Sequence, residues 1–236
     1  MSRLLVNGKE KELFVSAVVA AAGSSSRFGE DKLFLLLDGM PTLARSIDAL
    51  QKSDCIDEII VSTSGENLTR VNSLVKQYSF TKVTAVCEGG KTRAESVKNA
   101  VDKCSGKTDI IAIHDGARPF VAADTVRRTV EAAASFGAAA CAVKVKDTVK
   151  IVDENETVKA TPEREFLRAV QTPQAFSFEI YKKALENAPD GVTDDCMTVE
   201  AAGQRVVLVE GEYTNIKITT PDDISLSQAI LKGRAK

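Results

Sequence analysis

Short apolar runs rich in valine and isoleucine alternate along this chain with longer stretches whose apolar residues recur every three or four positions, and no other feature of the sequence constrains the fold as tightly. Residues 15–21, 56–62, 83–86, 110–113, 138–145 and 206–209 read as strands. Residues 42–53, 68–77, 93–103, 123–136 and 194–202 read as the helices between them. Helical crossovers make neighbouring strands parallel, and near-continuous apolar strands fit burial on both faces. The expectation is an α/β fold, a doubly wound and mostly parallel sheet, in one domain over residues 1–236.

One segment breaks the alternation. Residues 146–168 carry charges, Asn155 and Pro162 without a sustained helical period, and 149–161 reads as an exposed hairpin turning near Asp153, Glu154 and Asn155. With so few apolar residues it either packs on a partner or stands as a surface loop.

Charge and composition narrow the function classes. Lys+Arg number 31 against 33 Asp+Glu, so a net charge of −2 offers no general attraction for nucleic acid or an acidic membrane surface, and a small ligand is expected. Aromatic residues are 5% and tryptophan is absent, which leaves little for stacking single-stranded bases. The longest near-apolar stretch, 13–22, is broken by Ser16 and falls short of the ~20 residues that span a bilayer. The first residues mix apolar side chains with Lys9, Glu10, Lys11 and Glu12, unlike a secretory signal, so a cytoplasmic location is expected. Five scattered cysteines with no CxxC pair argue against disulfides and structural zinc. His114 is the only histidine; beside a strand it reads as a hydrogen-bonded structural residue.

After the first strand comes Ala20-Ala21-Ala22-Gly23-Ser24-Ser25-Ser26-Arg27, at the carboxyl edge where open α/β sheets bind ligands. Small side chains let backbone N–H groups approach a polyphosphate. Arg27 adds a planar donor fork and Lys32 a compact cation. Alone, the loop reads equally as an anion cradle or as an ordinary strand–helix turn with solvated charges. It carries neither the GxxxxGK[ST] pattern of a lysine P-loop nor the GxGxxG of a dinucleotide fold.

Further short motifs follow in order: Gly89-Gly90-Lys91-Thr92-Arg93-Ala94-Glu95-Ser96-Val97, His114-Asp115-Gly116-Ala117-Arg118-Pro119, Val145-Lys146-Asp147-Thr148, Thr172-Pro173-Gln174, Val192-Thr193-Asp194-Asp195 and Asn215-Ile216-Lys217-Ile218-Thr219. With the first loop, this succession resembles the isoprenoid-biosynthesis cytidylyltransferase family that acts on 2-C-methyl-D-erythritol 4-phosphate, over nearly the whole chain. The resemblance implies a Rossmann-like nucleotidyltransferase fold, transfer of CMP from CTP to that phosphate, release of pyrophosphate, and Mg²⁺ bound mainly through the CTP phosphates. It makes Arg27 and Lys32 transition-state stabilisers and gathers Ala20, Ala21, Ala22, Gly23, Ser25, Gly89, Gly90, Ser96, Asp115 and Gly116 around the nucleotide, with Gly89, Gly90 and Ser96 at the cytosine. The resemblance supports Asp115 as holder of the metal or of a substrate hydroxyl, the metal being preferred, against the plainer role of capping the helix after Pro119. The resemblance further implies a homodimer that exchanges the 146–168 arm, bringing Arg118, Thr148 and Arg164 to the methylerythritol phosphate together with Thr193 and Lys217. Arg164 and Lys217 join the catalytic set, Lys217 drawing in the nucleophilic phosphate. Two other readings stand beside it: a cytidylyltransferase for ribitol 5-phosphate or another polyol phosphate, and a nucleotide-binding regulatory module without turnover.

Overall fold

A computed structural model describes residues 1–23, 32–189 and 191–234. The chain opens with an antiparallel hairpin, β1 (Ser2–Val6) and β2 (Lys9–Leu13), that the apolar alternation did not predict. Its signal is Asn7-Gly8, both at positive φ, the two-residue turn whose twist matches paired strands. The order then runs β3 (Val15–Ala21), the short pair β4 (Leu36–Leu37) and β5 (Met40–Pro41), α1 (Thr42–Gln51), β6 (Glu58–Thr63), α2 (Leu68–Gln77), β7 (Val83–Glu88), α3 (Arg93–Val101), β8 (Ile110–Asp115), α4 (Ala123–Phe136) and β9 (Ala138–Lys144). After these come β10 (Ile151–Val152), β11 (Val158–Ala160), β12 (Arg168–Ser177), α5 (Phe178–Glu186), α6 (Asp195–Ala201), β13 (Val207–Glu210) and α7 (Asp222–Arg234).

Seven strands form the central sheet in the order β13-β9-β12-β8-β3-β6-β7. All ladders are parallel except those of β12, which runs antiparallel to β8 and β9. Side chains along each strand alternate between two apolar layers. Ala17 and Val19 of β3 face a cluster with Leu43, Ile47 and Leu50 of α1, Val71 of α2, Val126 and Val130 of α4, and Leu4 and Val6 of β1. Val18 faces the other side with Val97 and Val101 of α3, Tyr181 and Leu185 of α5, and Val199 of α6. The doubly wound, mostly parallel sheet is therefore as expected. Among the described residues no helix is long and apolar enough to cross a membrane.

β12 is the main departure from the sequence reading. Pro173 and the polar Gln171, Thr172 and Gln174 disguise it. The strand absorbs them in a register shift between Val170 and Gln174 on the β9 side, a bulge that aims Thr172 at the sheet's carboxyl edge. Upstream, β10 and β11 pair as the expected hairpin, with Asp153 Oδ1 accepting from the backbone of Asn155 at 2.9 Å and Thr157 at 3.0 Å.

Candidate active site

The chain winds from β3 through α1 to β6 on one side, whereas β8 lies on the other side of β3. That reversal opens a crevice at the strands' carboxyl ends, where open α/β sheets bind ligands. A cleft of about 420 Å³ lies there, lined by Ala20, Ala21, Ala22 and Gly23 after β3, Lys32 and Leu33, Gly90, Lys91, Thr92, Arg93 and Ser96 around the start of α3, Asp115 and Ala117 after β8, and Lys217.

Asp115 is the last residue of β8 and is buried. Lys217 Nζ lies 3.0 Å and Arg118 Nε 3.3 Å from its Oδ2, and an Arg93 Nη lies 3.6 Å from Oδ1. Burial alone would raise its pKa, but Lys217, Arg93 and Arg118 outweigh it and hold the carboxyl at about 2. Lys217 is brought there by its own strand-like segment: Ile218 N–H donates to the Ala117 carbonyl at 2.9 Å, and Arg118 donates to the Asn215 carbonyl at 2.8 Å.

His114 lies wholly buried behind this edge. The Arg118 carbonyl can only accept, so the neutral ring carries its proton on Nε2 and Nδ1 accepts from the Thr172 hydroxyl at 3.0 Å, while the Thr172 oxygen accepts from the Asp115 N–H, also at 3.0 Å. His114 Nε2–H then donates to the Arg118 carbonyl at 3.0 Å. The ring is a neutral strut between β8, β12 and the loop after Asp115, and burial lowers its pKa to about 4. The structural reading of His114 holds.

The loop before α3 forms the opposite wall. Thr92 and Glu95 make a capping box: Thr92 Oγ1 accepts from Glu95 N–H at 3.1 Å, and the Glu95 carboxylate accepts from Thr92 N–H at 3.2 Å and Lys91 N–H at 2.6 Å. Ser96 Oγ accepts from Gly90 N–H at 3.0 Å and donates to the Thr92 carbonyl at 2.8 Å, which ties the turn to the helix. A Cβ on Gly89 would sit 2.4 Å from Ala22 Cβ, so only glycine lets the two walls approach this closely.

Of the residues expected from sequence, Ala20, Ala21, Ala22, Gly23, Lys32, Gly90, Ser96, Asp115 and Lys217 meet in one cleft. Gly89 and Gly116 pack beneath its rim, where Gly116 N–H donates to the Ala20 carbonyl at 2.9 Å. Ser25 and Arg27 lie outside the described residues. Arg118 stands behind Asp115, its donors turned to Asp115 and Asn215. Thr148, Arg164 and Thr193 are exposed and do not line this cleft within one chain; Arg164 donates to the Lys146 carbonyl at 2.8 Å in a separate depression shared with Lys144 and Arg168. Sequence reasoning assigned no role to Arg93 or Asp195, although Arg93 lines the cleft and its Nη1 lies 2.5 Å from Asp195 Oδ2. Each stands in one of the short motifs, GGxxRxxS and TDD, but nothing local in either motif records that the two side chains meet.

Among the described residues no three His, Cys, Asp or Glu side chains converge as a metal cage. Among the described residues Asp115 is the one carboxylate lining the cleft, and its Oδ1 has the longer contact, to Arg93. Such a donor fits Mg²⁺ that takes most of its ligands from phosphate and water.

The family model described as IspD, 2-C-methyl-D-erythritol 4-phosphate cytidylyltransferase, matches residues 15–233. A protein of that name from Desulforamulus reducens is 46% identical over 226 residues, 93% of this chain and 97% of the relative. One from Alkaliphilus oremlandii is 40% identical over 93% of this chain and 95% of the relative. In structure the chain is similar to 4-diphosphocytidyl-2C-methyl-D-erythritol synthase from Anaerococcus prevotii, with a TM-score of 0.84 and 32% identity over 93% of this chain and 96% of the other. The Thermus thermophilus 2-C-methyl-D-erythritol 4-phosphate cytidylyltransferase gives a TM-score of 0.76 and 33% identity over 93% and 100%.

Proposed function

The chain belongs to the 2-C-methyl-D-erythritol 4-phosphate cytidylyltransferase family, and from that premise we propose that the cleft beside β3 and β8 is where the cytidylyl group changes hands. The enzyme transfers CMP from CTP to 2-C-methyl-D-erythritol 4-phosphate in the non-mevalonate route to isoprenoid precursors. The polyol-phosphate alternative is not favoured, since the family model and the relatives carry the methylerythritol name.

An oxygen of the acceptor phosphate forms a bond to the α-phosphorus of CTP. The bond from that phosphorus to the oxygen bridging to the β-phosphate breaks, and the electron pair leaves with pyrophosphate. No general base is required, because a phosphate monoester with a second pKa of about 6 is already largely dianionic at neutral pH. What the protein must supply is positive charge fixed where two anions meet. Lys32 and Lys217 on the cleft wall supply it, with Arg27 as a third on the basis of sequence. Removing one such preorganised donor typically costs about 10²–10³ in rate. Asp115 is the protein oxygen that would hold Mg²⁺ bound mainly through the CTP phosphates, and the ion would supply Lewis-acid neutralisation of the triphosphate. Ala20 to Gly23 approach the phosphates through their backbone, Gly116 keeps the floor low, and Gly89, Gly90 and Ser96 face the cytosine.

For the acceptor we propose a homodimer that exchanges the arm, so that Arg118, Thr148 and Arg164 of one chain meet a methylerythritol phosphate held mainly by its neighbour, with Thr193 and Lys217 making the remaining contacts. Exposed Ile151, Val152, Val158 and Phe166 on and beside the arm support a docked rather than a solvated projection. The observation that carries the functional reading is the meeting of the small-residue loop, Lys32, Lys217 and Asp115 in one cleft at the sheet's switch point. The test is pyrophosphate release from CTP with methylerythritol phosphate, with ribitol phosphate and with no acceptor. Release is expected with the first alone; equal release with ribitol phosphate, or none with any acceptor, overturns it.

A further inference from the structure

Arg93 and Asp195 have no part in the chemistry described so far, yet they connect the cleft wall to the core. Arg93 Nη1 lies 2.5 Å from Asp195 Oδ2, and its other terminal nitrogen points at Asp115 Oδ1, 3.6 Å away. The second Asp195 oxygen accepts from the Tyr181 hydroxyl at 2.5 Å. Tyr181 is fully buried and stacked on Phe176 with ring centroids 4.7 Å apart. Gln174 Oε1 accepts from the backbone N–H of both Asp195 and Cys196 at 3.0 Å, which fixes the start of α6 to β12. One carboxylate oxygen is thus held by Tyr181 and the other by Arg93, while Gln174 fixes the backbone that carries them. Burial works against a charged guanidinium, but Asp195 and Asp115 outweigh it and raise the Arg93 pKa, so Arg93 stays a cation.

We propose that Asp195, held by Tyr181 and Gln174, is a positioning residue that fixes the Arg93 guanidinium on the cleft wall, where Arg93 orients Asp115 and contacts the bound nucleotide. This rests on the cleft being the nucleotide site. A planar fork pinned along one edge can present its other edge in only one orientation, which is the use of arginine where lysine would swivel. A purely structural ion pair would affect stability without this dependence on guanidinium geometry.

The test is a double-mutant cycle on kcat/KM for CTP with Arg93→Lys, Asp195→Asn and the double variant, melting temperature being followed alongside. Arg93→Lys keeps the charge and loses the fork; Asp195→Asn keeps the shape and loses the charge. Each single change is expected to lower kcat/KM by about 10- to 100-fold, the scale of a misplaced reacting group. The double variant should fall no further than the weaker single, because both act through one guanidinium. Singles that match the wild type, or losses that multiply in the double variant, overturn the inference. Tyr181→Phe is the gentler variant should Asp195→Asn not fold, and its expected result is a smaller drop in the same parameter. A second readout does not need turnover: nitrogen-15 spectra should show hindered rotation of the Arg93 guanidinium in the wild type that is lost in Asp195→Asn, and its absence from the wild type also overturns the inference. Turnover by the wild type checks the nucleotide site separately.

Discussion

His114 and Asp115 are adjacent in the chain and opposite in chemistry. One is neutral because it is buried; the other is charged because three cations surround it. For His114 the folded pKa of about 4 lies below the ordinary 6.5, so between those values only the unfolded chain takes up the proton. The stability it contributes is present above the unfolded value and is lost as pH falls from there towards 4. Asp115 acts later, losing its contribution as pH falls from 3.8 to about 2. The urea midpoint of the wild type is expected to drop between about pH 7 and pH 5, with a visibly smaller drop in His114→Asn; equal drops in both would refute this assignment. These two residues were legible from sequence, since a polar pair closing an apolar strand marks the sheet's ligand edge. Arg93 and Asp195 were not, because their contact spans 102 residues and no local pattern records it.

At the scale of elements, α3 shows how a local signal becomes a wall of the site. Thr92 and Glu95 at capping-box spacing fix its start at Arg93, the boundary the sequence predicts, and the same box holds the turn that lines the cleft. Thr92→Ala is expected to cost about 1 kcal/mol of stability. It should also weaken CTP binding in a calorimetric titration, whereas a change in melting temperature with unaltered affinity would mean that the turn keeps its shape without the cap. In α2 and α4, whose N-cap residues make no side-chain cap hydrogen bond, the apolar period alone marks the bounds 68–77 and 123–136. β12 escaped because a proline and a bulge interrupt its alternation, and α5 and α7 were not read from the pattern at all.

For the whole molecule, a doubly wound sheet makes the cleft legible, because the ligand edge follows from topology once strands and crossovers are assigned. What the arm does depends on a second chain. Sedimentation at assay concentration is expected to give a dimer of the 25.3 kDa chain. Ile151→Lys with Val158→Lys should shift it to monomer and depress turnover, and a fully active monomer would exclude arm exchange. The sheet order also sets a timetable for synthesis. β7, β6, β3 and β8 are neighbours built from the first half of the chain, so they can close while the rest is still on the ribosome. β9 has only β12 and β13 beside it, both translated later, and must wait as an unpaired ribbon until its neighbours emerge. The nascent protein therefore assembles the floor of its crevice first and acquires its far flank last.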